Sequence, residues 1–514
     1  MNKQIIKEVI ILVSLGVMTS LSLPPLNFWF INFLTFTYFF IFLIEKSIQK
    51  KNKFYFFFYG WLFGFGFFVS NLYWISISLT FDENFKFLIP IALILIPAFL
   101  SLFYGLIAFI FILLKPRKIF SSFLIFSLVF GILEFVRGLV LTGFPWNLIA
   151  YSLSNQIKFL SITSIIGTYG LNLLCISFFT CPALFFFKKK RNGAVFFIFS
   201  LMIIMSSYMY GNLNEKKFNK IEKKYSYYKI RVIGSNISLD RFYNQVDTVS
   251  VINELIEISD PKSNEKTIFV WPEGILPNIY QDEVADYRWL FSERFNNNHL
   301  IIIGTNTQSF RNETKLYFNS FSLYDHELNL LDSYNKVNLV PFGEFLPIEN
   351  ILKKIGLRSL TNNYQSYSKG NERNIIQIDK PNSSLSILPL ICYEIIYSGR
   401  LFTDYEFDLI VNISEDGWFG QSIGPKQHFV HSIFRAIESG KYVVRSSNNG
   451  IAGIINPLGI IEKSVEFGQS GYVDFENNKK IQPTIFSKYG NIIFGLLILL
   501  YIFLIFSFNK IKDE

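Results

Sequence analysis

The chain has 514 residues, of which 51% are hydrophobic and 18% aromatic, and a mean hydropathy of +0.32. That value is too high for an ordinary soluble enzyme. The net charge of +9 does not point to nucleic acid, because the basic residues cluster at the ends of apolar segments, as membrane topology requires.

Apolar runs at 6–23, 27–45, 54–75, 87–114, 119–141, 157–187 and 193–211 predict seven membrane spans before a long polar region, and 486–508 predicts an eighth after it. The first run is expected to be a retained anchor and not a cleaved signal, since further runs follow it. Pro90 and Pro97 predict tilt or a kink in the fourth. The sixth is overlong, with part of it expected at the membrane surface. The 59 phenylalanines follow the general Phe, Ile, Lys and Asn bias of the chain and mark no site.

Orientation follows from the connections. Lys3 and Lys7 precede the first span; Lys46, Lys50, Lys51 and Lys53 follow the second; Lys115, Arg117 and Lys118 follow the fourth; Lys188, Lys189, Lys190 and Arg191 follow the sixth; Lys510 and Lys512 follow the eighth. Every even-numbered exit is basic and is expected in the cytoplasm. The loop after the third span holds Asp82 and Glu83 instead. Residues 212–485 are then outside, on the periplasmic face of the inner membrane in a Gram-negative cell. Glu134 and Arg137 sit one turn apart near the outer end of the fifth span, and two readings stand: a pair that neutralises itself, or ionisable groups that mark a site or hold a loop. Thr142-Gly143-Phe144-Pro145-Trp146 reads as a turn with two interfacial aromatics, a re-entrant or lid element.

The expected organisation is a transmembrane domain at 1–212, a charged linker at 213–228, an α/β domain at 229–480 and a final transmembrane helix at 486–508. In the polar region, strands are predicted at 229–235, 267–271, 300–304, 317–324, 385–391, 409–413, 442–445 and 451–456, with helices at 249–258 and 425–439. Pro425 suits the first turn of that last helix and Gly440 its end. Near-continuously apolar strands interspersed with helices predict a buried sheet with helices outside, a layered α/β sandwich.

Three polar residues follow apolar runs here: Glu273 in Trp271-Pro272-Glu273, Lys336 after Tyr334-Asn335, and Cys392 after Pro389-Leu390-Ile391. A carboxylate, a cation and a thiol are the parts of acyl transfer through a thioester. Glu273 would take the thiol proton, and Lys336 would stabilise thiolate and oxyanion. Glu344 would orient the lysine or share its proton load. Singly, each has a plainer reading: a small core residue, a turn carboxylate, a solvated lysine. Jointly they end separate strands of one domain, where α/β sites form. Cys175 and Cys181 lie in an apolar segment, so Cys392 has no partner for an intradomain disulfide. Only four histidines occur, with no CxxC and no HExxH, so neither metal nor cofactor is expected. His428 and His431 offer a rival Cys–His pairing, although their helical spacing favours a surface or supporting place. Asn412, Asp416, Trp418, Phe419 and Gly420 are expected to wall the pocket, and Glu415 and Gly417 carry no assignment.

The order of these motifs resembles the nitrilase (carbon–nitrogen hydrolase) superfamily. The segments Leu339-Val340-Pro341-Phe342-Gly343-Glu344, 412–420 and Ser447-Asn448-Asn449-Gly450, with the 142–146 turn and eight spans, resemble its membrane-bound branch, the bacterial apolipoprotein N-acyltransferase family. The resemblance implies a Glu273–Lys336–Cys392 triad supported by Glu344, Tyr393 and Glu394, on an αββα sandwich outside the cytoplasmic membrane. It also implies a phospholipid acyl donor, acting from its sn-1 position, and a diacylated apolipoprotein acceptor. Phe242 and Tyr243 stand where the family often has Trp. The alternative is a membrane-tethered amidase or nitrilase that passes its acyl group to water.

Overall fold

The computed structural model describes residues 3–510 apart from 50–51, 188–189, 244–245, 277, 312–313, 348–365, 381–382 and 402–405. Lys50, Lys51, Lys188, Lys189 and Lys512 of the predicted basic loops lie outside the described residues. The chain divides into two compact units: Met1–Lys216 with Ser398–Arg400 and Pro483–Glu514, and Lys217–Tyr397 with Leu401–Gln482.

The first unit is helical, and among the described residues seven helices are long and apolar enough to cross a membrane: Ile31–Gln49, Phe54–Thr80, Glu83–Leu114, Ile119–Arg137, Thr163–Phe186, Ala194–Lys220 and Ile492–Lys510. The predicted count of eight is thus one higher. The remaining predicted span is a helix, Lys3–Ser20, but its 18 residues include Lys3, Lys7 and Glu8. Glu8 is neutralised by Lys46, whose Nζ is 2.6 Å away, and accepts from the Tyr59 hydroxyl at 3.0 Å. A Cβ on Gly16 would lie 2.1 Å from the Phe63 carbonyl oxygen, and one on Gly66 would lie 2.2 Å from that of Val13. The helices carrying these glycines therefore pack backbone against backbone, as small residues allow in membranes.

The overlong sixth run is not one helix. It breaks into Ile157–Leu160, Thr163–Thr180 and Ala183–Phe186, with Gly167 at φ 68° and ψ 175°. A Cβ at Gly167 would lie 2.1 Å from a ring carbon of Phe486. Glu134 and Arg137 satisfy both readings offered for them. They form a buried pair, with Nε 3.1 Å from Oε2, and Arg137 also donates to the Phe144 carbonyl, tying down the loop that follows the helix. Trp146 in that loop packs on Trp74 at 4.9 Å between rings. The expected linker at 213–228 is largely ordered: the helix Lys190–Lys220 and the first strand, Lys224–Ser235, run through it.

The second unit is a 12-stranded sheet. Its strands are β1 (Lys224–Ser235), β2 (Thr267–Val270), β3 (His299–Arg311), β4 (Thr314–Asp325), β5 (Leu330–Asn335), β6 (Ile376–Lys380), β7 (Ser383–Ile391), β8 (Leu409–Glu415), β9 (Tyr442–Asn448), β10 (Ala452–Ile455), β11 (Ile461–Val465) and β12 (Gly471–Asn478). The main path runs β5-β4-β3-β2-β1-β9-β8-β7-β6, with β10 on β9 and β12 on β1. The centre, β3-β2-β1 and β9-β8-β7, is parallel, and the hinge is Gly234 opposite Ser447 and Ser235 opposite Asn448.

Alternation along the strands sorts the side chains into two cores. Ile230, Val232, Ile268, Val270, Leu300 and Ile302 share one core with Ile387, Ile391, Leu409, Val411, Ile413, Tyr442 and Val444, so the two halves of the sheet face each other. Ile233, Phe269, Trp271, Ile301 and Ile303 point the other way, onto Val251, Ile252, Leu255 and Ile256 of the helix Thr248–Ser259. On the far side the helix Gly424–Ser439 lies on β9 and β10. The layers are those of an αββα sandwich, but both sheets belong to one continuous path. Strands β5, β6, β11 and β12 are absent from the sequence reading. β5 and β6 end that path and β11 and β12 lie off it, and exposed positions in β5, β6 and β11 break the apolar run that would reveal them.

Candidate active site

The parallel centre aligns strand ends, and the predicted polar residues gather there. Glu273 lies three residues beyond β2, and Lys336 follows β5 directly. Gly304 of β3 admits this arrangement, since a Cβ there would lie 2.5 Å from the Glu273 Cα. Lys336 is 1% exposed, and its Nζ donates to Glu273 Oε1 at 3.1 Å and to Glu344 Oε1 at 2.9 Å. Asn319 Nδ2 donates to the same two oxygens at 2.7 Å each. The other Glu273 oxygen accepts from the Glu415 backbone N–H at 2.9 Å, and the other Glu344 oxygen from that of Val340 at 2.8 Å. Burial opposes the lysine's charge, but the flanking Glu273 and Glu344 overcome it and hold its pKa well above the usual range. Burial pushes Glu344 up, against the pull of Lys336.

Cys392 follows β7 directly and opens a short 3-10 turn, Cys392–Ile396. Its φ is +47°, a left-handed conformation that a non-glycine residue adopts only when its surroundings impose it. Glu394, fully buried, imposes much of this. One of its oxygens accepts from the Ile391 N–H at 2.9 Å, and the other from the Tyr334 hydroxyl at 2.7 Å, the Val337 and Asn338 N–H groups at 3.0 and 3.1 Å, and Arg373 at 3.2 Å. One carboxylate thus ties the cysteine turn to the segment that follows Lys336. Burial pushes the Cys392 thiol well above its ordinary range, and Glu273 adds to this, while Lys336 and Ser414 pull it down. The resting sulfur is therefore a thiol within the field of both predicted partners.

Asn412 and Asp416 are buried in a polar cluster under the site. Asp416 accepts from Ser414 at 2.7 Å, Ser447 at 3.1 Å and Arg445 at 2.8 Å, and Arg445 also donates to Asn412. Burial would raise the Asp416 pKa, but Arg445 and His428 drive it well below the carboxylate range. Of the two places expected for the histidines, surface or supporting, the surface one does not hold. Both are fully buried, with His428 Nδ1 2.8 Å from Asp416 Oδ1 and Nε2 3.3 Å from the Cys392 carbonyl oxygen. Burial and Arg445 keep His428 below its ordinary pKa. A Cys392, an Asp416 and a His428 donor atom lie within 4.8 Å of one another, but the aspartate is already taken up by these neighbours and offers a metal little.

Glu415, unassigned from sequence, pairs in the interior with Arg241 and accepts from Asn448 at 2.8 Å. Trp418 stacks on Phe242, with ring centroids 5.4 Å apart, and the Arg241 guanidinium lies 4.3 Å from the Phe242 centroid. Tyr393 packs edge-on against Tyr397. Sequence reasoning misses Asn319, Arg445 and Arg241. A polar side chain interrupting the apolar strands was the available signal for the first two; Arg241 left none.

The family model described as the apolipoprotein N-acyltransferase N-terminal domain matches residues 15–181, and that of the carbon-nitrogen hydrolases matches 230–476. A membrane unit joined to a carbon–nitrogen hydrolase domain is thereby defined. Among solved structures, an amidase from Nesterenkonia sp. is similar at 13% identity and a TM-score of 0.32, over 51% of this chain and 94% of its own. The apolipoprotein N-acyltransferase of Rhodopseudomonas palustris is 32% identical over 97% of this chain and 95% of its own length, and that of Rickettsia prowazekii is 32% identical over 99% and 100%. The chain belongs to the apolipoprotein N-acyltransferase family and is an acyltransferase.

Proposed function

We propose that this protein transfers a fatty acyl chain from a membrane glycerophospholipid to the N-terminal amine of the diacylglyceryl-cysteine of apolipoproteins, the last step of lipoprotein maturation, through a thioester on Cys392. The observation that carries the reading is the buried Lys336 ammonium held between Glu273 and Glu344, with the Cys392 sulfur in its field. Glu273 accepts the thiol proton as the sulfur attacks the ester carbonyl carbon. Lys336 and the backbone N–H of Tyr393 stabilise the oxyanion. The C–O bond to glycerol then breaks, the lysophospholipid leaves with the proton from Glu273, and the acyl group stays on sulfur. The acceptor amine attacks this thioester and gives its proton to Glu273. The C–S bond breaks, the Cys392 sulfur takes that proton back from Glu273 as the thiol, and the N-acylated lipoprotein leaves. Glu344 keeps Lys336 charged and in place, and Glu394 and Tyr393 hold the cysteine turn.

Both substrates are lipid-anchored, so a site on a membrane-bound chain meets them at high local concentration. In this reading residues 1–212 and 486–508 form eight spans, the first being the helix Lys3–Ser20, and 229–480 is the catalytic domain on the periplasmic face of the inner membrane. The neutralised Glu8 and the glycine contacts support that first span.

Reconstitution with labelled phospholipid and a diacylated lipopeptide tests the proposal. Wild type is expected to acylate Cys392 and then the peptide amine, while Cys392→Ala does neither. Free fatty acid with no acylated peptide would establish a hydrolase instead.

A further inference from the structure

His428 is a buried titratable group that the proposed acyl transfer leaves without a task. It sits on the helix Gly424–Ser439, with Nδ1 2.8 Å from Asp416 Oδ1 and 3.0 Å from Arg445 Nη2, and Nε2 3.3 Å from the Cys392 carbonyl oxygen. Asp416 is itself fixed by Ser414, Ser447 and Arg445. Both neighbours of the ring are acceptors, so the geometry suits a ring that donates from Nδ1 to Asp416 and from Nε2 to the Cys392 carbonyl; burial and Arg445 oppose that doubly protonated state, and Asp416 and the carbonyl favour it. Neither ring nitrogen is then left to take a proton from the thiol, which removes His428 as the base of a Cys–His pair.

That carbonyl belongs to the same rigid plane as the Tyr393 N–H, and in a trans peptide the two point in opposite directions. Whatever fixes the carbonyl therefore aims the N–H. The plane needs fixing, because Cys392 is at φ +47°, where few side-chain-bearing residues rest unaided.

We propose that His428 is a positioning residue: its hydrogen bond to the Cys392 carbonyl holds the peptide between Cys392 and Tyr393 so that the Tyr393 N–H meets the oxyanion formed during acylation. Asp416, itself held by Arg445, accepts from Nδ1 and fixes the ring's place. The proposal rests on the reading of Cys392 as the acylated residue.

The test compares His428→Gln, His428→Asn and His428→Leu in the full-length reconstituted protein. A glutamine amide reaches the place of Nε2, an asparagine amide only that of Nδ1, and leucine offers neither. Two reactions of Cys392 are followed: single-turnover acylation by labelled phospholipid, which passes through an oxyanion, and alkylation by iodoacetamide, which does not. Asn and Leu are expected to slow acylation about 100-fold, the scale of one lost oxyanion donor, with KM for phospholipid unchanged and alkylation within about threefold of wild type. Gln is expected to retain acylation within about tenfold. The proposal is overturned if Asn and Leu acylate like wild type. It is equally overturned if alkylation falls along with acylation, which marks a fold or thiolate role, or if Gln fails like Leu while alkylation persists, which demands the imidazole itself. A wild type that alkylates but never acylates would instead defeat the underlying acyl-transfer reading.

Discussion

Glu273 acts on Cys392 in two opposed ways. Its negative charge, second only to burial, raises the thiol pKa, yet in the proposed reaction it must remove the thiol proton. Glu273→Gln separates the two. Removing the charge lowers the thiol pKa, so more thiolate exists at a given pH and the iodoacetamide rate profile moves to lower pH. Acyl transfer, deprived of its base, is expected to fall by about 100-fold to 10,000-fold. Rates measured from pH 6 to 10 on both reactions check this; a profile that moves to higher pH refutes it.

Asp416 permits a second prediction at this scale. A carboxylate whose folded pKa is depressed stabilises the fold above its unfolded value, near 4, and loses that contribution as pH falls through the folded value. In Arg445→Met Asp416 loses its largest counter-charge and keeps only His428, Ser414 and Ser447 against burial, so it is more costly as an anion and sheds that cost on protonation. The variant is expected to lose about 3–5 kcal/mol at neutral pH, the scale of a broken buried pair. The gap to wild type should narrow as pH falls. Thermal unfolding between pH 4 and 8 measures it, and a constant gap would refute the electrostatic account.

Among the helices, the break at Gly167 shows how one residue sets the course of an element. The run from 157 to 187 is apolar enough to be continuous, but Gly167 takes a positive φ and lies against the Phe486 ring. Gly167→Ala is expected to lower the unfolding temperature by adding both backbone strain and a clash. Gly167→Ala with Phe486→Ala removes the clash but leaves the strain and a cavity, so the two changes should be non-additive. A double-mutant cycle by thermal unfolding tests this, and simple additivity would show the contact to be incidental. The strand ends teach a related lesson. Glu394 sits two residues after the cysteine, yet its oxygens reach the segment after Lys336, more than fifty residues away in sequence, so the site is an assembly of elements and not a motif.

For the whole molecule, topology decides whether the site meets its substrates. The alternation of basic loops predicts that residues between the seventh and last spans are outside the cytoplasm. In a background lacking native cysteines, Ser263→Cys, exposed in the polar domain, should react with a membrane-impermeant maleimide on intact spheroplasts. Lys53→Cys, exposed between the second and third spans, should react only after lysis. The reverse pattern would invert the topology and remove the proposed function.

The sequence by itself determined the apolar runs, the α/β character of the polar region and the three residues Glu273, Lys336 and Cys392, because hydrophobic periodicity and reactive side chains are local properties that a linear chain displays. It did not show that Lys3, Lys7 and Glu8 make the first helix less apolar than the others, and it marked the sixth run as overlong without showing that Gly167 breaks its helix. Only the tertiary structure decided which buried polar and charged groups meet: Asn319 between Glu273 and Glu344, Arg241 on Glu415, and Arg445 with Asp416 under the sulfur. These partners come from different strands and loops, and a buried charge is tolerated only where the fold brings its counter-charge, a condition that sequence spacing does not record.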